Sequence, residues 1–152
     1  MSIPEGLMRL IGKWQGENRL WLEPDQPTQK SKTTASITPV VQGKFLSLRY
    51  TWADQGQSQE GLLLLGQGRD QITAAWADSW HMGDEIMLCT GQTSLDEKVS
   101  VQGSYAVPSG PDWGWRISIE HRADDRFRLV MDNISPQGEE MLAVIAEYER
   151  QI

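Results

Sequence analysis

Asp78, Ser79 and His81 crowd into one short stretch of the chain, and they are the residue types of a nucleophilic triad. Their spacing argues against that chemistry. In a single extended strand, Ser79 and His81 point one way and Asp78 the other, with i and i+2 atoms about 7 Å apart. No G-x-S-x-G elbow presents a serine on a strained turn. Gly66-Gln67-Gly68 precedes a strand-like run rather than a helix, so it reads as a turn and not as a phosphate cradle. The paired acids Asp124-Asp125 and Glu139-Glu140 fall in turn-like segments and read as solvated charge. With two histidines and the single cysteine Cys89, no metal-ligand spacing emerges. No catalytic residue and no cofactor is therefore expected. His121 carries one alternative, because a neutral imidazole on an apolar barrel face could ligate haem iron.

Composition narrows the setting. The chain has 152 residues, 39% of them hydrophobic, and 14 basic against 21 acidic side chains for a net charge of −7. That acidity disfavours nucleic acid, whose binders need a basic face to release counterions. Seven tryptophans exclude disorder, since each buries on the order of 150–250 Å². The longest apolar run, Leu62 to Leu65, is far short of the roughly 20 residues of a membrane helix. The lone cysteine and the absence of a secretory signal pattern at the start make a cytoplasmic location the expectation. The length suits one domain, residues 1–152.

The elements that must position these residues are nearly all strands. Leu7, Leu10 and Ile11 share one face of a short helical turn after Pro4, and Gly12 ends it. From there on, alternating runs are separated by short turns. The first carries Trp14, Gly16, Asn18, Leu20 and Leu22 on one face; a second, from about Lys32, carries Thr33, Ala35, Ile37 and Val41. A turn at Gln42-Gly43-Lys44 leads to a run from Phe45 to Trp52, and Asp54-Gln55-Gly56-Gln57 turns the chain into Gly61–Leu65. The fifth places Ile72, Ala74, Trp76, Asp78 and Trp80 together. Runs of Glu85–Thr93 and Lys98–Val107 flank a turn at Leu95-Asp96-Glu97. Trp113, Trp115, Ile117, Ile119 and His121 form the next face, then Phe127, Leu129, Met131 and Asn133, then a last strand over about Glu140 to Arg150.

About ten strands with such short connections leave no room for crossover helices, so neighbours pair antiparallel. Closing the meander removes exposed edges. The expected fold is all-β: an antiparallel up-and-down barrel of about ten strands with a short N-terminal helix, the rival being a two-sheet sandwich.

In such a barrel the apolar face points inward, and polar residues on that face stand out: Asn18, Asp78, His121 and Asn133. A buried polar group without a partner costs about 1–3 kcal/mol, so these must pair, hold water or meet a ligand. The expectation is a cup lined by Trp76, Trp80 and Trp115, anchored by Asp78 or Asn18, taking a small hydrophobic or amphipathic molecule.

Leu7, Leu10, Ile11-Gly12-Lys13-Trp14-Gln15-Gly16 resembles the L-x-x-L-x-G-x-W-x-G opening of the bacterial DUF1579 family, whose function is unknown. Gly43-Lys44-Phe45-Leu46, Trp76-Ala77-Asp78-Ser79, Asp124-Asp125-Arg126-Phe127 and the closing Glu147-Tyr148-Glu149-Arg150 are similar to later motifs of that family, in the same order. The glycine-rich segment usual after the fourth strand is only partly met, by Gly66-Gln67-Gly68. The resemblance implies a calycin-like barrel, related in shape to lipocalins, fatty-acid-binding proteins and the nitrobindin haem proteins. It implies no activity. The G-x-W opening is shared with lipocalins, whose late arginine covers the tryptophan; Arg150 resembles that partner of Trp14, a structural lock rather than a site.

Three functional expectations follow. The first is a small-molecule-binding barrel. The second is a nitrobindin-like haem protein with His121 as ligand. The third is a packed interaction module, a homodimer through Trp21 and Leu46 on or near outward faces.

Overall fold

The computed structural model describes residues 3–93 and 98–152. One turn of helix, α1 (Glu5–Met8), precedes ten strands: β1 (Gly12–Leu20), β2 (Gln29–Val40), β3 (Phe45–Asp54), β4 (Gln57–Gln67), β5 (Ile72–Asp78), β6 (Met87–Thr93), β7 (Val99–Tyr105), β8 (Trp113–Ala123), β9 (Arg126–Ile134) and β10 (Glu140–Arg150). Each strand pairs antiparallel with its sequence neighbours, and β1 also pairs with β10, Trp14 opposite Arg150, which closes the barrel. A sandwich is thereby excluded. The turn expected at Leu95-Asp96-Glu97 lies outside the described residues.

The period-two pattern produces the wall. On β3, Leu46, Leu48, Tyr50 and Trp52 point inward and are all buried. On β9, Phe127, Leu129 and Met131 do the same. Gln55 and Gly56 both adopt left-handed backbone angles, a two-residue hairpin turn whose twist matches the strands it joins. A bulge between Leu142 and Val144 shifts the phase of β10, so Leu142 turns outward while Ala143 and Val144 are both buried.

Four expectations need correction. Leu46 is 1% exposed and belongs to the core, so the self-association patch built on it is lost; Trp21, just past β1, is half-buried. Val41 leaves the β2 face: it adopts a left-handed angle in the turn before β3 and is exposed. Leu22 lies beyond the end of β1 and is exposed as well. Trp80 is not part of β5, because the strand stops at Asp78.

Candidate functional site

The stop at Asp78 has a local cause. Its Oδ1 accepts the backbone N–H groups of Trp80 and His81, each at 2.9 Å, and the Met82 N–H donates to its carbonyl. An aspartate that bonds backbone two residues ahead offers the chain a turn in place of the ladder. The segment therefore folds back, and His81 returns to the end of the barrel. The extended-strand spacing read from the sequence does not apply here. Ser79 is still no nucleophile: it donates to Gln59 Oε1 at 2.7 Å and accepts the Glu60 N–H at 3.0 Å, on the side of β4.

Inside, Tyr50, Gly61 and Asp78 stand level on the adjacent strands β3, β4 and β5. A Cβ on Gly61 would overlap the Tyr50 ring, so the glycine leaves the path by which that ring crosses β4. The Tyr50 hydroxyl donates to Asp78 Oδ2 at 2.7 Å and accepts the Trp76 Nε1–H at 2.9 Å. Burial, reinforced by the Asp78 charge, holds the Tyr50 phenol well above its usual pKa, so it remains a donor. Asp78 itself is 3% exposed, and its carboxylate is bonded by a hydroxyl and two amides, all neutral.

The returned His81 ring lies among four indoles: Trp52 stacked at 5.6 Å, Trp76 at 5.7 Å, Trp115 at 5.2 Å and Trp80 edge-on at 4.8 Å. Trp76 and Trp115 also stack on one another at 5.5 Å. Trp80 forms the outer wall, partly exposed, its Nε1–H on Asp54 Oδ2 at 3.1 Å. Burial lowers the His81 pKa below the free value and the Asp78 charge opposes that shift; burial is the larger cause. Trp115 Nε1 is a buried donor without a hydrogen-bond partner among the described residues.

Asn18 reaches this end from β1. It is 6% exposed and lines, with Tyr50, Trp52, Asp78, His81 and Met131, a cavity with about 10 Å³ of room for a water-sized sphere. That is about one water molecule. With His81 in place, the aromatic end of the barrel is therefore filled by its own side chains. Larger hollows lie on the outer wall; one of about 740 Å³ is lined by Lys32, Arg122, Arg126, Arg128, Glu147 and Glu149, whose charges are mixed.

The structure thus brings together Asn18, Trp76, Asp78, Trp80 and Trp115, with Trp80 in the turn rather than on the strand. It does not bring His121. That residue pairs across the ladder with Phe127, whose ring packs between Trp14 at 4.7 Å and Tyr148 at 4.6 Å. Its Nε2 lies 3.3 Å from Asp124 Oδ1. Side chains fill the interior beside it and its ring nitrogen is engaged, so the residues around His121 do not fit a haem. Asn133, the fourth inward polar residue, accepts the Tyr105 hydroxyl at 2.6 Å. Tyr50, Trp52 and His81 were missed. The alternation of β3 already placed the first two beside Leu46 and Leu48. The signal for His81 is the aspartate at a strand end followed by Gly83-Asp84.

At the opposite end, Trp14 is fully buried and donates to the Leu10 carbonyl at 2.8 Å. Arg150 lies 4.3 Å over its ring and donates to the carbonyls of Ile11, Arg9 and Asp124 at 2.7–3.0 Å. Its guanidinium crosses Gly12, where a side chain would collide with it.

A family model described as a protein of unknown function, DUF1579, matches residues 4–150. No curated protein matches the sequence. Among solved structures, Rv2717c from M. tuberculosis superimposes with a TM-score of 0.64 at 15% identity, over 100% of both chains. The S-type phycobiliprotein lyase CPES from Guillardia theta does so with 0.66 at 12% identity, over 100% of this chain and 94% of its own. At such identities the likeness is one of fold.

Proposed function

The chain belongs to the DUF1579 family, and from that premise we propose that it is a small-molecule-binding barrel whose ligand, apolar with a polar head, enters at the tryptophan-rich end. One observation carries the reading: at one mouth four of the seven tryptophans surround the His81 ring, which shares a small cavity with the buried Asp78 carboxylate. A purely structural end would be served by aliphatic side chains, which bring no buried charge to neutralise. Trp76, Trp80 and Trp115 supply the apolar walls. Asp78 and Asn18 supply the polar anchor.

The filled interior sets a condition on this reading. A ligand larger than one water must displace something, and His81 is the side chain in the way. A phycobiliprotein lyase with the same architecture supports the general idea that such barrels serve small-molecule chemistry; the identity of 12% carries no ligand across. Among the described residues no helix is long and apolar enough to cross a membrane. The cytoplasmic setting belongs to the proposal too, and rests on the single cysteine, which is buried.

Titration with the uncharged fluorophore phenylnaphthylamine tests the reading, with energy transfer from tryptophan as the signal. Saturable transfer that weakens in Trp80→Ala is the expected result. No transfer in the wild type or in His81→Ala overturns it.

A further inference from the structure

The box around His81 has the construction of a cation receptor. Four indoles surround one point at 4.8–5.7 Å, Trp52 stacked on its occupant, Trp76 and Trp115 tilted and Trp80 edge-on, and indole faces attract positive charge more strongly than the faces of other aromatic side chains. Beside that point sits Asp78, a buried carboxylate whose hydrogen-bond donors are the neutral Tyr50 hydroxyl and two amides. Every ion pair recorded among the described residues lies elsewhere. The occupant of the box is a ring that can carry charge but is held neutral by burial.

We infer that the group this mouth receives is a quaternary or methylated ammonium, which displaces the His81 ring and takes its place among Trp52, Trp76, Trp80 and Trp115 next to Asp78. The inference rests on the proposed reading of this mouth as the binding site and adds the charge of the ligand to it. A trimethylammonium head is rounder and bulkier than an imidazole, and it takes the space vacated by His81 together with the adjoining cavity. Unlike His81, it has no proton to release when it leaves water. It is also weakly hydrated, so its transfer into the box forfeits less hydration than that of a primary amine. Asp78 then gains the positive partner that the described residues do not supply. The polar head of the expected amphipathic ligand becomes a cation, and Trp80, the exposed wall, becomes the door.

Choline and its uncharged carbon isostere dimethylbutanol have nearly the same shape, which isolates the charge. Binding is read by tryptophan fluorescence and by the carbon-bound ring protons of His81, whose shifts are displaced by the surrounding indoles. Choline is expected to bind at least about tenfold more tightly than dimethylbutanol. The His81 resonances should move toward exposed values on saturation. His81→Ala should tighten choline binding, and Trp80→Ala, at a partly exposed position that the fold tolerates, should weaken it about tenfold. Equal affinity for choline and dimethylbutanol overturns the inference and leaves the proposed function standing. Phenylnaphthylamine binding with no choline binding in wild type or His81→Ala does the same. Failure of all three probes overturns both.

Discussion

The two ends of the barrel are built from the same parts in opposite ways. At the helix end a buried tryptophan, Trp14, is covered by a permanent cation, and that cation is tied down by three backbone carbonyls. At the other end four tryptophans surround a histidine ring kept neutral by burial, and a buried carboxylate shares its cavity. The first arrangement is complete: indole, guanidinium and carbonyls each have their counterpart within the chain. The second is not, since Asp78 has neutral donors only and Trp115 Nε1 has no partner among the described residues. A closed set of interactions is what a structural lock requires. An end whose carboxylate has neutral donors only is the one that the proposed ligand would complete.

The largest expected effect tests the lock. Trp14→Ala removes a fully buried indole and its bond to Leu10, and urea denaturation should show a loss of about 3–5 kcal/mol. A loss of under about 1 kcal/mol would mean that the helix end is not where stability is concentrated. Next comes the mouth. Tyr50→Phe keeps the ring but leaves both Trp76 Nε1 and Asp78 Oδ2 short of a partner, at about 1–3 kcal/mol for each group stranded. If phenylalanine proves neutral, water has replaced the hydroxyl, and the mouth is wetter than its packing indicates. Arg150→Lys is a smaller change, about 1–2 kcal/mol, because an ammonium keeps the charge but cannot reach the carbonyls of Arg9, Ile11 and Asp124 together. A lysine variant as stable as the wild type would show that charge over Trp14, and not the guanidinium fork, closes this end.

The two ends also differed in how far they could be read beforehand. Trp14 and Arg150 sit on regular strands that meet when the barrel closes, so alternation and chain order suffice to bring them together. The barrel itself was legible for the same reason: a side-chain period of two, short turns and no crossover segments admit few topologies. The mouth depends on a break in that regularity. Extending β5 by two residues put Trp80 on the inner wall and pointed His81 away from Asp78. In fact the Asp78 carboxylate captures two amides and folds the chain back. Periodicity carries no information about a side chain that bonds its own backbone. Likewise His121 lay on an inward face by alternation, which is correct, but at the wrong end: register along the strand, not the face, separates it from Trp76. Leu46 failed through the opposite error, an outward assignment on a strand whose inward phase is set by Leu48, Tyr50 and Trp52.

The smallest expected change needs only a shift of pH and separates the ends by their histidines. The His81 ring has a lower pKa in the folded chain than in the unfolded one, because burial outweighs the Asp78 charge. The unfolded chain therefore binds a proton more readily, and stability rises with pH wherever that holds. The contribution of His81 is full above the unfolded value of about 6.5, and it is lost as the pH falls from there through the lower folded value. Asp78 and, through Trp80, Asp54 are the carboxylates near the ring, and both are present unchanged in every variant compared. His121→Gln, at the far end, removes the other histidine of the chain and serves as the control. Urea midpoints at about pH 8 and about pH 5.5 should fall with acid in the wild type and in His121→Gln. In His81→Phe, which keeps a ring in the box but no titrating nitrogen, they should be nearly flat. Equal slopes in the wild type and His81→Phe would place the proton uptake outside the box. Saturating choline refines the same comparison: once His81 is displaced into water its folded and unfolded pKa values converge, so the wild-type slope should flatten to that of His81→Phe.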